Sequence, residues 1–165
     1  MKITILDKAK KKKFIEAVSY LGVEKISQML IKTGNERLRV FSGSLSNEEL
    51  MALWRLFPIE GVGLYFGKEM VYKKTGEKET RLSLDALHVL KKQIKGNIIE
   101  LDEKQEGEWF KGGNLEFDEG ETNKRGFVAV KSKKSGDFIG TGKISNKGET
   151  LLNFLPKERW RKEKL

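Results

Sequence analysis

The chain of 165 residues contains no cysteine, one histidine and two prolines. Without cysteine there is no disulfide framework and no thiolate metal site. A single histidine, His88, excludes a metal centre built from several imidazoles. No apolar run approaches the roughly 20 residues that span a bilayer. Near the N-terminus, Phe14-Ile-Glu-Ala-Val18 is broken by a charge, so it lacks the apolar centre of a signal peptide. The expectation is a cytoplasmic protein without membrane contact. Catalytic signatures are missing as well. Gly61-Val-Gly63 precedes a strand-like run rather than a helix, so it is not a phosphate-binding turn. There is no Ser/His/Asp set and no nucleophile elbow. No enzyme activity, metal or other cofactor is expected.

What the chain has is charge. Lys and Arg number 33 against 24 Asp and Glu, a net charge of +9. Residues 1–95 hold 19 basic and 11 acidic groups, and residues 96–165 hold 14 and 13. Within the second part, residues 100–121 carry nine acidic groups and two basic ones. The sequence therefore implies a basic face and an acidic flank, not a uniform cationic sleeve. Apolar residues make up 38%, enough for a core under a heavily charged surface. Asp102, Glu103, Glu106 and Glu108 lack the spacing of an oxygen-ligand loop and read as a solvated helix face.

Periodicity lays out the elements. Ile3 to Leu6 is a short apolar run, and Asp7 caps a helix whose stripe is Phe14, Val18 and Leu21, ended by Gly22. Lys10 to Lys13 lies on its first turns, where a helix dipole disfavours cations. Gln28–Thr33 and Arg37–Phe41 read as strands joined through Gly34-Asn35. Ser46-Asn-Glu-Glu49 is a capping box before a helix bearing Leu50, Leu53, Trp54 and Phe57, stopped by Pro58. Val62–Val71 is a strand, Lys74–Glu77 a turn and Leu82–Leu90 a short helix with His88 as a core or helix-end group. A break near Lys91–Gly96 divides residues 1–93 from 94–165. Then come a strand, Ile98–Leu101; a helix from Asp102 with Trp109 and Phe110 inward, ended by Gly112-Gly113; and strands at Leu115–Phe117, Gly126–Ser132, Asp137–Ile144 and Thr150–Phe154. The expected fold class is α+β: an N-terminal α/β lobe, then a pseudo-β-barrel of about five or six strands.

Four runs in the last third carry a resemblance: Asn97-Ile-Ile-Glu-Leu-Asp102, Glu106-Gly-Glu-Trp-Phe-Lys-Gly-Gly113, Gly126-Phe-Val-Ala-Val130 and Ile139-Gly-Thr-Gly-Lys143. Together they resemble the PUA domain, the RNA-binding module of pseudouridine synthases and archaeosine transglycosylases. Asn153-Phe-Leu-Pro-Lys-Glu-Arg159 looks like the PUA-like tail of RNA cytosine-5-methyltransferases of the Nop/Sun type. The chain lacks the catalytic cysteine of those enzymes and the length for their cofactor-binding domain, so their activity is not carried over. The whole layout, through Tyr65-Phe-Gly-Lys68 and Glu79-Thr-Arg-Leu-Ser83, is similar to archaeal and eukaryotic ribosome-assembly factors that pair a pre-PUA domain with PUA.

This resemblance implies a non-enzymatic RNA-binding protein of rRNA processing, ribosome biogenesis or RNA modification. The alternative is a detached RNA-binding subunit of an RNA-modifying enzyme of methyltransferase or pseudouridine synthase type. The implied partners are RNA (rRNA or tRNA) and either pre-ribosomal particles or such an enzyme. In the assembly factors, basic residues at the end of PUA contact RNA; Lys157, Arg159, Arg161 and Lys162 occupy that place, in a basic tail from Lys157 to Lys164. Trp160 among them has two readings: it stacks on an unpaired base, or it packs onto the barrel. Lys111 with Gly112 and Gly113, and Lys143 after Gly140 and Gly142, also have two: backbone open to phosphate beside a cation, or tight barrel corners.

Overall fold

The computed structural model describes residues 2–57, 59 and 61–162. The Pro58 helix stop and the Lys164 end of the basic tail lie outside the described residues.

Two five-stranded sheets form the scaffold. The first runs in the order β1 (Ile3–Ile5), β2 (Met29–Thr33), β3 (Arg37–Phe41), β4 (Leu64–Val71), β5 (Lys78–Leu82), and every neighbouring pair is antiparallel. The second runs β6 (Ile98–Leu101), β8 (Gly126–Ser132), β9 (Phe138–Ile144), β10 (Thr150–Asn153), β7 (Leu115–Glu116). Only β6 and β8 pair in parallel. This second sheet curls as a half-barrel with β6 and β7 at its edges.

The helices follow their sequence signals. Asp7 accepts a hydrogen bond from the Lys10 amide and caps α1 (Lys8–Ala17), which passes into a 3-10 turn ended by Gly22 at φ 96°. Both halves of the capping box at Ser46 and Glu49 form, and they start α2 (Asn47–Leu56). Ser83 caps α3 (Leu84–Val89). Asp102 and Gln105 cap α4 (Glu103–Phe110) reciprocally. His88 lies exposed in the last turn of α3.

Strand β5 has no counterpart among the elements expected from periodicity. Its pattern, Lys78-Glu-Thr-Arg-Leu82, is polar on both faces because only Leu82 enters the core.

Three apolar clusters hold the molecule together. One lies between α1, α3 and the first sheet, with Phe14, Leu38, Phe66 and Leu87 at its centre, and it takes in Ala129 and Phe138 from the second sheet. The second fills the half-barrel around Trp109, Leu101, Val130 and Leu151. The third joins α2 to the outer face of the first sheet through Ile31 and Leu50. Leu84 of α3 packs against both of the first two clusters. A buried hydrogen bond from Thr141 Oγ1 to the Leu82 carbonyl (2.8 Å) also ties β9 to the first sheet. The two sheets thus share a core, and the β5 edge of the first meets β9 of the second along a surface seam.

Candidate nucleic-acid interface

The half-barrel builds a corner at the C-terminal end of α4. The Trp109 ring is fully buried and donates its indole N–H to the Ile139 carbonyl at 3.0 Å. A Cβ on Gly140 would lie 2.7 Å from that ring, so the first glycine of Gly140-Thr-Gly142 is a seat for Trp109. Gly142 serves Leu151 in the same way, at 2.5 Å. At the end of α4 the chain turns through Gly112 at φ 87°, a left-handed conformation that a side chain resists. Asn153 secures this turn. Its side-chain amide donates to the carbonyls of Trp109 (2.8 Å) and Gly113 (3.0 Å), and its backbone N–H donates to the Asn114 amide oxygen.

Trp160 covers Gly112. A Cβ there would stand 2.3 Å from the indole, so the ring lies directly on the bare backbone. The indole N–H donates to the Leu155 carbonyl at 3.0 Å, yet 36% of the residue stays exposed. The structure shows the packing: one face lies on the half-barrel, and the rest of the ring is open to solvent.

The cations are arranged around this ring. Lys157 Nζ lies 5.9 Å from its centroid. The Arg161 backbone N–H donates to the Phe110 carbonyl at 2.7 Å, and its guanidinium stacks 4.1 Å over the Phe110 ring. Lys111 stands 3.7 Å from the Glu108 carboxylate, and Lys162 follows exposed. Lys111, Gly112, Gly113, Lys157, Trp160 and Arg161 therefore gather at one corner, and Lys162 follows Arg161 along the chain.

The other two residues sit along the seam. Arg159 reaches Asp85 of α3 at 3.1 Å. Lys143 donates to both carboxylate oxygens of Glu79 on β5 at 2.8 Å, and the Tyr72 hydroxyl donates to the same carboxylate at 2.8 Å. Burial pushes the Glu79 carboxyl up, but hydrogen bonds from Lys143 and Tyr72, and the lysine charge, outweigh it and leave the pKa lowered. Burial likewise pulls Lys143 down, and its bonds to Glu79 more than reverse that. Lys143 is thus a structural cation beside the Phe127 ring (5.1 Å), not part of the corner around Trp160.

Sequence reasoning missed several seam residues. Arg81 lies 4.6 Å over Phe154, and Phe154 meets Phe127 edge-on at 5.5 Å. Lys78, Lys124, Arg125 and Tyr20 line a cleft of about 620 Å³ between the sheets, with Glu79, Asn97 and Phe127. Lys124-Arg125 was the one legible signal, a basic pair leading into a strand. Arg81 and Lys78 went unnoticed with β5 itself.

The carboxylates of α4 have local tasks. Asp102 caps the helix, Glu106 accepts from Ser132 at 2.8 Å, and Glu103 lies 3.4 Å from Lys134. Among the described residues no group of His, Cys, Asp and Glu could hold a metal ion, and no helix is long and apolar enough to cross a membrane.

No protein-family model and no curated protein matches this chain. Among solved structures, one titled as a conserved PUA domain protein from Thermoplasma acidophilum aligns over 95% of this chain and 96% of its own, with a TM-score of 0.58. The fold is PUA-like. At 17% identity the likeness is one of architecture, and it extends across both sheets of the PUA-like fold.

Proposed function

We propose that the chain is a non-enzymatic RNA-binding protein acting in rRNA processing, ribosome biogenesis or RNA modification. The observation that carries this reading is the seating of Trp160 on Gly112: an aromatic surface held in place, partly open, and flanked by Lys157 and Arg161. A base stacked on such a ring contributes about 1–3 kcal/mol and needs no defined sequence. The neighbouring cations supply phosphate contacts, which position the strand. The PUA-like architecture supports the same reading, and the layout of the sequence resembles factors that join a pre-PUA domain to PUA.

Charge reversal tests it. Arg161→Glu with Lys157→Glu is expected to weaken binding of single-stranded RNA by roughly tenfold in a filter assay, because a reversed charge repels the backbone it had held. Each lost phosphate contact should also flatten the plot of log K against log salt by about 0.7. Unchanged affinity and slope would remove the corner from the RNA site.

A second reading, the accessory subunit of an RNA-modifying enzyme, draws on α2. Leu56 is 73% exposed and Phe57 60%, beside exposed Leu53 one turn back, an apolar patch suited to a protein partner. Purification from native cells separates the two readings. Pre-ribosomal particles would accompany the first, and a stoichiometric enzyme the second.

A further inference from the structure

We propose that the cleft between the two sheets is a subsite for one unpaired nucleotide of the bound RNA, reached along the seam from the Trp160 corner. The inference rests on the RNA-binding reading above and extends it to a second, separate surface.

The cleft is built for a flat polar group with a negative tail. Tyr20, 38% exposed, stands at its wall with its hydroxyl fixed to the Thr80 carbonyl at 3.0 Å. The hydroxyl is held protonated, by desolvation first and by the Glu79 charge second, so the ring brings no anion to the cleft. Asn123, exposed at the same cleft, offers an amide with both donor and acceptor for a base edge. Lys78 and Lys124 supply two cations, and Arg125, whose guanidinium donates to the Lys124 carbonyl at 2.7 Å, lies beside them. The one carboxylate in the lining, Glu79, is already matched by Lys143. The electrostatic balance is therefore cationic where a phosphate would enter. The volume of about 620 Å³ falls in the range of small-molecule sites, about 300–1,000 Å³.

The cleft is not isolated. Phe127 lines it and touches Phe154. Phe154 carries the Arg81 guanidinium, and both border a smaller hollow that also contains Asp85 and Arg159. Arg159 precedes Trp160. Phe127 is itself buried, so the exposed part of this route is Phe154 with Arg81 over it, and then Arg159. Aromatic rings and guanidinium planes are the surfaces on which splayed RNA bases stack. A strand anchored at Trp160 would pass Arg159, Arg81 and Phe154 on its way to the cleft.

Oligoribonucleotides of two lengths test this. Single-stranded binding modules cover about 4–16 nucleotides, so one oligouridylate of about 4 and one of about 12 are titrated by fluorescence polarisation. Lys78→Glu with Lys124→Glu, both surface changes, should weaken the long RNA by roughly tenfold, the scale of one lost stacked and charge-held nucleotide, and leave the short RNA unaffected. Lys157→Glu with Arg161→Glu should weaken both. A 4-thiouridine in the long RNA should crosslink to the peptide containing Tyr20, a readout on the unaltered protein. Equal loss of the two lengths in the cleft variant, or no loss together with no Tyr20 crosslink, overturns the subsite while leaving the corner intact. If the parent protein binds neither length, both proposals fall.

Discussion

At Lys111-Gly112-Gly113 the absent side chain leaves room for Trp160, a partly exposed ring laid on from outside. At Gly140-Thr141-Gly142-Lys143 the room is taken from inside, by Trp109 and Leu151 of the core. The lysines diverge too. Lys111 stands over the acidic end of α4, over half of its side chain in solvent, and Lys143 is locked to Glu79 across the seam. Two lysine-flanked glycine runs thus do different work: the one at the turn after α4 presents a surface, and the one inside strand β9 closes a core. A glycine beside a lysine is not by itself a phosphate site; what fills the space over the glycine decides its role.

Substitutions can break this contrast. The largest effect is expected at Gly140→Val, which drives methyl groups into the Trp109 ring and should cost about 3 kcal/mol in chemical denaturation. A loss below about 1 kcal/mol would mean that Trp109 can shift and that the core reading of this stretch of β9 is wrong.

Next is Glu79→Gln, which removes the partner of a half-buried ammonium and should cost about 1–2 kcal/mol at neutral pH. Its pH dependence has a defined sign. The Glu79 pKa is lowered from 4.5 in the fold, so its stabilisation is complete above that value and disappears as pH falls through the folded pKa. The Lys143 pKa is raised from 10.5, so its share is complete below that value and disappears as pH rises through the folded pKa. The difference between parent and variant should therefore be flat between these limits and shrink outside them. A difference that grows on acidification would contradict the pair.

Smaller again is Gly112→Ala. Strain at φ 87° should cost about 1 kcal/mol of stability, and displacement of Trp160 should lower RNA affinity by up to about tenfold. Normal affinity would show that the ring's seat is dispensable. The smallest change is expected from Glu108→Gln. Its pairing with Lys111 is solvent-exposed, and stability should move by less than about 0.5 kcal/mol.

The elements that sequence revealed are those with a local cause. Asp7, Ser46 and Asp102 cap helices through bonds to residues three positions on, and such spacing is visible along a chain. The alternation of Leu38 and Val40 with Arg37 and Arg39 in β3 is equally local and visible along the chain. Strand β5 escaped because its side chains face a seam rather than a core, and a seam has no apolar period. The Lys143–Glu79 pair joins residues 64 apart and the Arg159–Asp85 pair residues 74 apart. No spacing rule connects such positions. The corner at Trp160 was legible because α4, its glycine turn and the tail are each recognisable; the cleft was not, since strand β5 and the segment before β8 must first be brought together.

The dual contacts of Leu84 carry a consequence for how this molecule can be divided. A cut between α3 and β6 would strip Ala129 and Phe138 from one half and bare apolar area on both. Neither piece would then be a self-sufficient folding unit, and melting of the intact chain should follow one cooperative calorimetric peak. Parting the walls of the seam would expose the apolar contacts of Leu84, Ala129 and Phe138 that the two sheets share.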